Sequence, residues 1–193
     1  MSSIEAVGVL SDRWAHGRSR TAGLVVAGAA LTGLLAQVAL PVPGTPVPFT
    51  LQTLGVILAG ATLGTRRAVL SMGLYVALGA AGVPWFAHNS SGLHLPTFGY
   101  LIGFILAAAF VGQLSARGGG RGFWSACGLM IVGSLVIYAV GVPVLALATG
   151  ASWVDALLMG AVPFLIGDFV KILMAAGLLP GAWAFVNRGS DPV

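Results

Sequence analysis

The chain is 193 residues long, 58% hydrophobic and only 7% charged. Soluble domains carry about a quarter charged residues, so that class is excluded, and a mean hydropathy of +0.98 indicates a polytopic membrane protein. The net charge is +4, yet the arginines stand singly or in pairs between apolar runs, a topological pattern that excludes a nucleic-acid partner.

Residues 1–20 read as a loose cytoplasmic arm, with Arg13, Arg18 and Arg20 near the membrane. Arginines before an apolar run also open signal peptides, but five further spans follow, so the first run reads as a retained helix. Helix 1 is expected over about 21–40, long enough for a hydrocarbon core of ~30 Å at ~1.5 Å per residue. Ala29 and Gly33 share one of its faces, and small residues at this spacing let helices approach closely. Pro41, Pro43, Pro46 and Pro48 then preclude a helix and impose a stiff, extended loop. Helix 2, about 50–64, opens with Thr50 and Gln52, is short for a span and closes at Arg66-Arg67. Helix 3 covers about 68–83. A second long loop, 84–96, holds Trp85, His88, Asn89, Ser90, Ser91 and His94. Helix 4 (97–116), a glycine-rich turn (117–121) and helix 5 (123–149, with Pro143) follow. Helix 6 is expected over about 156–184, with Pro163 inside it, and 189–193 form a tail.

The arm carries three arginines, the loop between helices 2 and 3 two, that between helices 4 and 5 two, and the C-terminus one. The other three loops carry none, so all eight arginines fall on one side. The positive-inside rule makes that side cytoplasmic, with both termini. The fold class is therefore an all-α membrane protein of six transmembrane helices over 21–188. Both long loops lie outside, where irregular backbone often lines a ligand cavity.

One stretch breaks the apolar run from Leu157 to Ala176: Gly167-Asp168-Phe169-Val170-Lys171. Lys171 is the only lysine and Asp168 one of five acids. Three apart on a helix, they share a face. An ionisable group at bilayer depth costs roughly 2.5–3.5 kcal/mol on insertion scales and faces a cavity or the bundle interior. The pair is expected to floor a binding site; an ion pair that only locks helices together is the bland alternative. A carboxylate accepts N–H bonds and an ammonium donates to a carbonyl or carboxylate, which suits a small polar solute. Trp85, Phe98 and Tyr100 offer flat apolar walls, or equally anchors in the aromatic belt.

No phosphate-binding loop with its lysine exists, so ATP is not bound by that route. No serine, histidine and acid stand at a spacing suited to nucleophilic catalysis, and an enzyme is not expected. His88 and His94 have no cysteine or nearby acid to complete a metal site, and His16 lies in the arm; no metal or cofactor is expected. Cys127 reads as a small packing residue.

Five stretches taken together resemble the BioY family, the biotin-specific S components of energy-coupling factor (ECF) transporters. They are Pro46-Val-Pro-Phe-Thr-Leu-Gln52, Leu63-Gly-Thr-Arg-Arg67, Gly79-Ala-Ala-Gly-Val-Pro84, Pro96-Thr-Phe-Gly-Tyr-Leu-Ile-Gly-Phe104 and Gly167-Asp-Phe-Val-Lys171. The resemblance implies an S-component bundle that captures biotin near the outer face. It implies contacts from Asp168 and Lys171, with Asn89, Ser90, Tyr100, Gln52 and Trp85 as further ligand-binding residues. The chain departs from the family's glycine-rich loop at Phe86-Ala-His-Asn-Ser-Ser-Gly92. Ala29 and Gly33 resemble the small-residue motif that packs on a membrane partner. The implied partners are biotin, a transmembrane T subunit, two cytoplasmic ATPase subunits and the lipid of a bacterial plasma membrane. The alternatives are an S component for another small vitamin, a stand-alone proton-linked carrier using Asp168, and a scaffold subunit with no ligand.

Overall fold

The computed structural model describes residues 8–13, 15, 17–93 and 96–188. In order they form α1 (Arg18–Ala36), the short strands β1 (Ala39–Leu40) and β2 (Phe49–Thr50), α2 (Gln52–Ala80), α3 (Phe98–Ala116), α4 (Phe123–Thr149), α5 (Trp153–Gly160) and α6 (Leu165–Arg188). Among the described residues, four helical stretches, Arg18–Ala36, Phe98–Ala116, Phe123–Thr149 and Trp153–Asn187, are long and apolar enough to cross a membrane. The molecule is thus a mostly helical, multi-pass integral membrane protein.

The stretch α2 is folded in two. Gly64 has φ 76° and ψ 169°, a backbone region that a side chain resists and glycine enters freely. Far from that break, the Gln52 side-chain amide donates to the Tyr75 hydroxyl over 2.5 Å. Residues on either side of Gly64 therefore run back along one another, as limbs 52–63 and 65–80. These limbs correspond to the helices expected over 50–64 and 68–83. Arg66 and Arg67, however, open the second limb rather than filling a loop, and that limb ends at Ala80, before the turn at Gly82 with φ 109°.

Packing follows from small residues. The α2 limbs lie between α1 and α3, and α4 packs on α3 and α6. A β-carbon at Gly112 would overlap the Thr65 backbone, so α3 rests directly on the Gly64 fold. There the Ser115 hydroxyl donates to the Ala61 carbonyl over 2.7 Å. On the other flank the Ser71 hydroxyl donates to the Val25 carbonyl of α1 over 2.8 Å.

The loose arm expected from the sequence is packed over residues 8–13. Leu10–Arg13 form a single 3-10 turn, and Leu10 and Ser11 are buried. The Ser11 hydroxyl donates to the Leu63 carbonyl over 3.3 Å, beside the Gly64 break. Arg67 pairs with Asp12 at 2.7 Å. Arg13 donates to the Asn187 side-chain oxygen over 3.0 Å, and Arg121 to the Gly8 carbonyl over 3.2 Å. Arg121 also lies over the Trp183 ring, 4.5 Å from its centroid, a cation–π contact. One end of the bundle therefore gathers the arm, the Gly64 fold, the α3–α4 turn and the end of α6.

The single helix expected over 156–184 is instead broken. Ser152 caps α5 by accepting from the Asp155 amide over 3.2 Å. After Gly160 comes a 3-10 turn, Val162–Phe164, and only then α6. Pro163 has no N–H for the Met159 carbonyl, and its ring collides with that carbonyl in a regular helix. The Gly160 carbonyl at the break accepts from the Tyr100 hydroxyl over 2.8 Å. This break sets the depth and rotation of the Asp168–Lys171 turn.

Candidate ligand-binding site

Away from the arginine end, a cavity of about 70 Å³ is enclosed by β2, the start of α2, the loop after α2, and helices α3, α4 and α6. Gln52, Ser90, Tyr100, Tyr138 and Lys171 contribute polar groups to its wall, with Phe86, Phe104 and Phe164 supplying apolar surface.

The floor is the ion pair. Asp168 is 5% exposed and Lys171 3%, and the Lys171 Nζ donates to Asp168 Oδ1 over 3.0 Å. The Tyr138 hydroxyl of α4 donates to the other oxygen, Oδ2. Both carboxylate oxygens are thus engaged, by a cation and by a hydroxyl on a neighbouring helix, which fixes the group's orientation. Lys171 lines the cavity and Asp168 does not. The charge on the wall is an ammonium with its counter-ion behind it. An ammonium has three donors, so Lys171 keeps N–H groups for a carbonyl or carboxylate in the cavity.

The roof is tied to the floor by Phe49. β1 and β2 pair antiparallel, Ala39 with Thr50 and Leu40 with Phe49, which pins the ends of the proline-rich loop. The Phe49 ring lies 4.6 Å from Lys171 Nζ, a cation–π contact strengthened by exclusion of water. A β-carbon at Gly167 would overlap the same ring. Glycine at 167 is what lets the loop close on α6.

The structure sorts the residues singled out from the sequence. Gln52, Ser90, Tyr100 and Lys171 converge on the cavity wall, with Asp168 directly behind. The Tyr100 hydroxyl is committed to Gly160, so this residue presents its ring. Gln52 is committed as well: its oxygen accepts from the Thr50 hydroxyl over 3.1 Å while its amide binds Tyr75. Ser90 donates to the Ala87 carbonyl over 2.7 Å. Asn89 is exposed with φ 54° and stands off the wall. Trp85 is also off the wall: its ring packs on Tyr75 with centroids 5.1 Å apart, and its indole N–H donates to the Tyr75 carbonyl over 2.9 Å. His88 is exposed, and His16 and His94 lie outside the described residues. Sequence reasoning missed Tyr138 and Phe49, both of which touch the pair.

Ala29 and Gly33 need correcting as an outer docking face. Ala29 is 1% exposed, and a β-carbon at Gly33 would stand 3.2 Å from the Trp85 ring. Both face the interior, while Val26, Leu31 and Leu34 point outward. A helix that is apolar all round gives no sign of its inner side.

Comparison with known proteins agrees with this architecture. The model of the BioY family matches residues 10–188. A probable biotin transporter BioY of Pyrococcus horikoshii is 39% identical over 161 residues, covering 82% of this chain and 93% of that protein. The biotin transporter BioY of Thermotoga maritima is 39% identical over 138 residues, 70% of this chain and 80% of its own. A probable biotin transporter BioY of Lysinibacillus sphaericus is 37% identical over 156 residues, covering 77% of this chain and 79% of the relative. In fold, the chain is similar to a crystal structure of the S-component for biotin from an ECF-type ABC transporter, with a TM-score of 0.76, 21% identity, and coverage of 86% of this chain and 92% of that one. On the family match across nearly its whole length, the chain belongs to the BioY family.

Proposed function

We propose that the chain is the substrate-capturing S component of an ECF transporter and that its ligand is biotin. The observation that carries this reading is the buried Lys171 ammonium on the cavity wall, with Asp168 as its counter-ion. A cation on the wall recognises an acceptor, and biotin offers a ureido carbonyl and a carboxylate. Its apolar ring and tail suit the Phe86, Phe104, Tyr100 and Phe164 surfaces. The names of the relatives support the same ligand. The cavity is smaller than the ~300–1,000 Å³ of drug-sized sites, so entry requires segment 47–50, which Phe49 holds to α6, and the loop after α2 to move outward.

Taking α1, the two limbs of α2, α3, α4 and the broken α5–α6 as one crossing each gives six spans. Both termini then lie at the arginine end, cytoplasmic by the positive-inside rule in a bacterial plasma membrane. The cavity lies at the outer face. Accumulation needs free energy, and the sequence has no nucleotide-binding loop. A transmembrane T subunit and two cytoplasmic ATPase subunits, as separate chains, supply it.

Uptake in sealed proteoliposomes tests this. Biotin should accumulate only with T subunit, ATPases and ATP together. ATP-independent, pH-driven accumulation by the lone chain would replace this reading with a proton-linked carrier.

A further inference from the structure

A second concavity lies at the arginine end, remote from the biotin cavity. It is a groove of about 1490 Å³ running over the second limb of α2, between α1 on one side and Ile105 and Ala116 of α3 on the other. Its mouth carries Arg18, Arg66 and the Arg67–Asp12 ion pair. Arg18 and Arg66 are exposed. Neither guanidinium makes a hydrogen bond or ion pair with a described residue, in contrast to that of Arg67, which is held by Asp12. Deeper in, the walls are apolar: Val25 and Val26 of α1, Leu70 and Leu74 of α2. From Arg66 to Ala77, the farthest residue along α2 that lines the groove, the limb rises roughly 16 Å at ~1.5 Å per residue. That matches the reach of an acyl chain from the interface into one leaflet of a ~30 Å core.

We infer that this groove is a site for one glycerophospholipid with an anionic headgroup. The phosphate lies between Arg18 and Arg66, and an acyl chain lies along Leu70 and Leu74. Two observations and one general rule favour a lipid over a protein helix. Two arginines whose guanidinium groups have no partner among the described residues sit where a phosphodiester reaches the membrane surface, and arginine presents a planar fork of donors to such a group. The apolar walls begin directly below them and continue to leaflet depth. Basic pockets between helices at the cytoplasmic surface are suited to anionic headgroups. The inference is independent of biotin and needs only that this end of the bundle meets the membrane surface.

The test is native mass spectrometry of the full chain with phosphatidylglycerol or phosphatidylcholine of identical acyl chains. Phosphatidylglycerol should be retained preferentially, as a single adduct. The Arg18→Gln/Arg66→Gln double variant should weaken its binding roughly 10- to 30-fold and leave biotin binding unchanged. A second variant keeps both charges: Gly73 lines the groove and a β-carbon there meets open space, so Gly73→Leu projects bulk into the groove and should also lose the adduct. Equal retention of both lipids overturns the inference. So does an adduct that survives both variants. Cross-linking of a Leu70→Cys variant to the T subunit in the assembled transporter, without any phosphatidylglycerol preference, would give the groove to a protein helix instead.

Discussion

The hydroxyl of Tyr138, in α4, donates to the carboxylate of Asp168, in α6, and so joins two helices at the floor of the cavity. Asp168 in turn holds Lys171. Tyr138 thus both lines the cavity wall and fixes the aspartate that holds the ammonium. Tyr138→Phe keeps the ring and removes only this bond. A hydrogen bond to a charged group contributes about 1.5–3 kcal/mol to stability; because this one is internal to the protein, biotin affinity should fall by at most roughly ten- to a hundred-fold. Isothermal titration of the purified variant reads this directly; unchanged affinity would reduce Tyr138 to a packing residue.

The ion pair makes a prediction about the order of stability of single and double variants. Asp168→Asn leaves the ammonium buried without its counter-ion, a change that costs roughly 3–5 kcal/mol in buried pairs. Replacing both partners with uncharged groups removes that penalty. The Asp168→Asn/Lys171→Met protein should therefore be more stable than Asp168→Asn alone, while both bind biotin more weakly than the parent. Denaturation curves in detergent check the order. A double variant at least as unstable as the single would mean that the pair does not act as a buried, coupled unit.

Gly167 and Phe49 make a kinetic prediction. Gly167→Ala forces the Phe49 ring off α6 and opens the contact that closes the roof. Overpacking of this kind costs typically 1–3 kcal/mol, so biotin should dissociate roughly 5- to 100-fold faster. Phe49→Leu in the same protein makes room and should restore part of the slow release. Stopped-flow displacement resolves both; a release rate insensitive to Gly167→Ala would remove Phe49 from the gate.

Topology is checked by cysteine labelling in a Cys127→Ala background. Pro43 and Leu93 are exposed in the two loops on the cavity side, and Arg117 is exposed in the α3–α4 turn at the arginine end. An impermeant thiol reagent should label Pro43→Cys and Leu93→Cys in intact cells and Arg117→Cys only after lysis. The reverse pattern would invert the orientation.

How much of this was legible in the sequence depends on what each residue's signal competes with. Asp168 and Lys171 were visible because charge is scarce and costly in an apolar run, so a pair at helical spacing stands out against its surroundings. The grouping of arginines was visible for the same reason, and the structure brings the segments carrying Arg13, Arg67 and Arg121 to one end. Tyr138 was not visible: one tyrosine in the long apolar α4 reads as well for packing as for binding. Its register against α6 is set by the break at Gly160–Phe164, a tertiary outcome. The break itself was half-legible, since Pro163 marks it, but a proline inside an apolar run kinks some helices and ends others. Ala29 and Gly33 were misplaced because their spacing tells that a close contact exists, not with what. Trp85 and Asn89 lie in a loop without periodicity, where only the fold decides which side chain turns inward.

Biotin capture through Lys171 is tested most directly by equilibrium biotin titration of the purified lone chain beside Lys171→Met. The parent should bind saturably and one-to-one without ATP or partner chains. Lys171→Met should lose roughly ten- to a hundred-fold or more in affinity, with the variant still folded by its thermal transition. A folded parent that does not bind biotin, or a folded Lys171→Met that binds as tightly as the parent, would contradict this role.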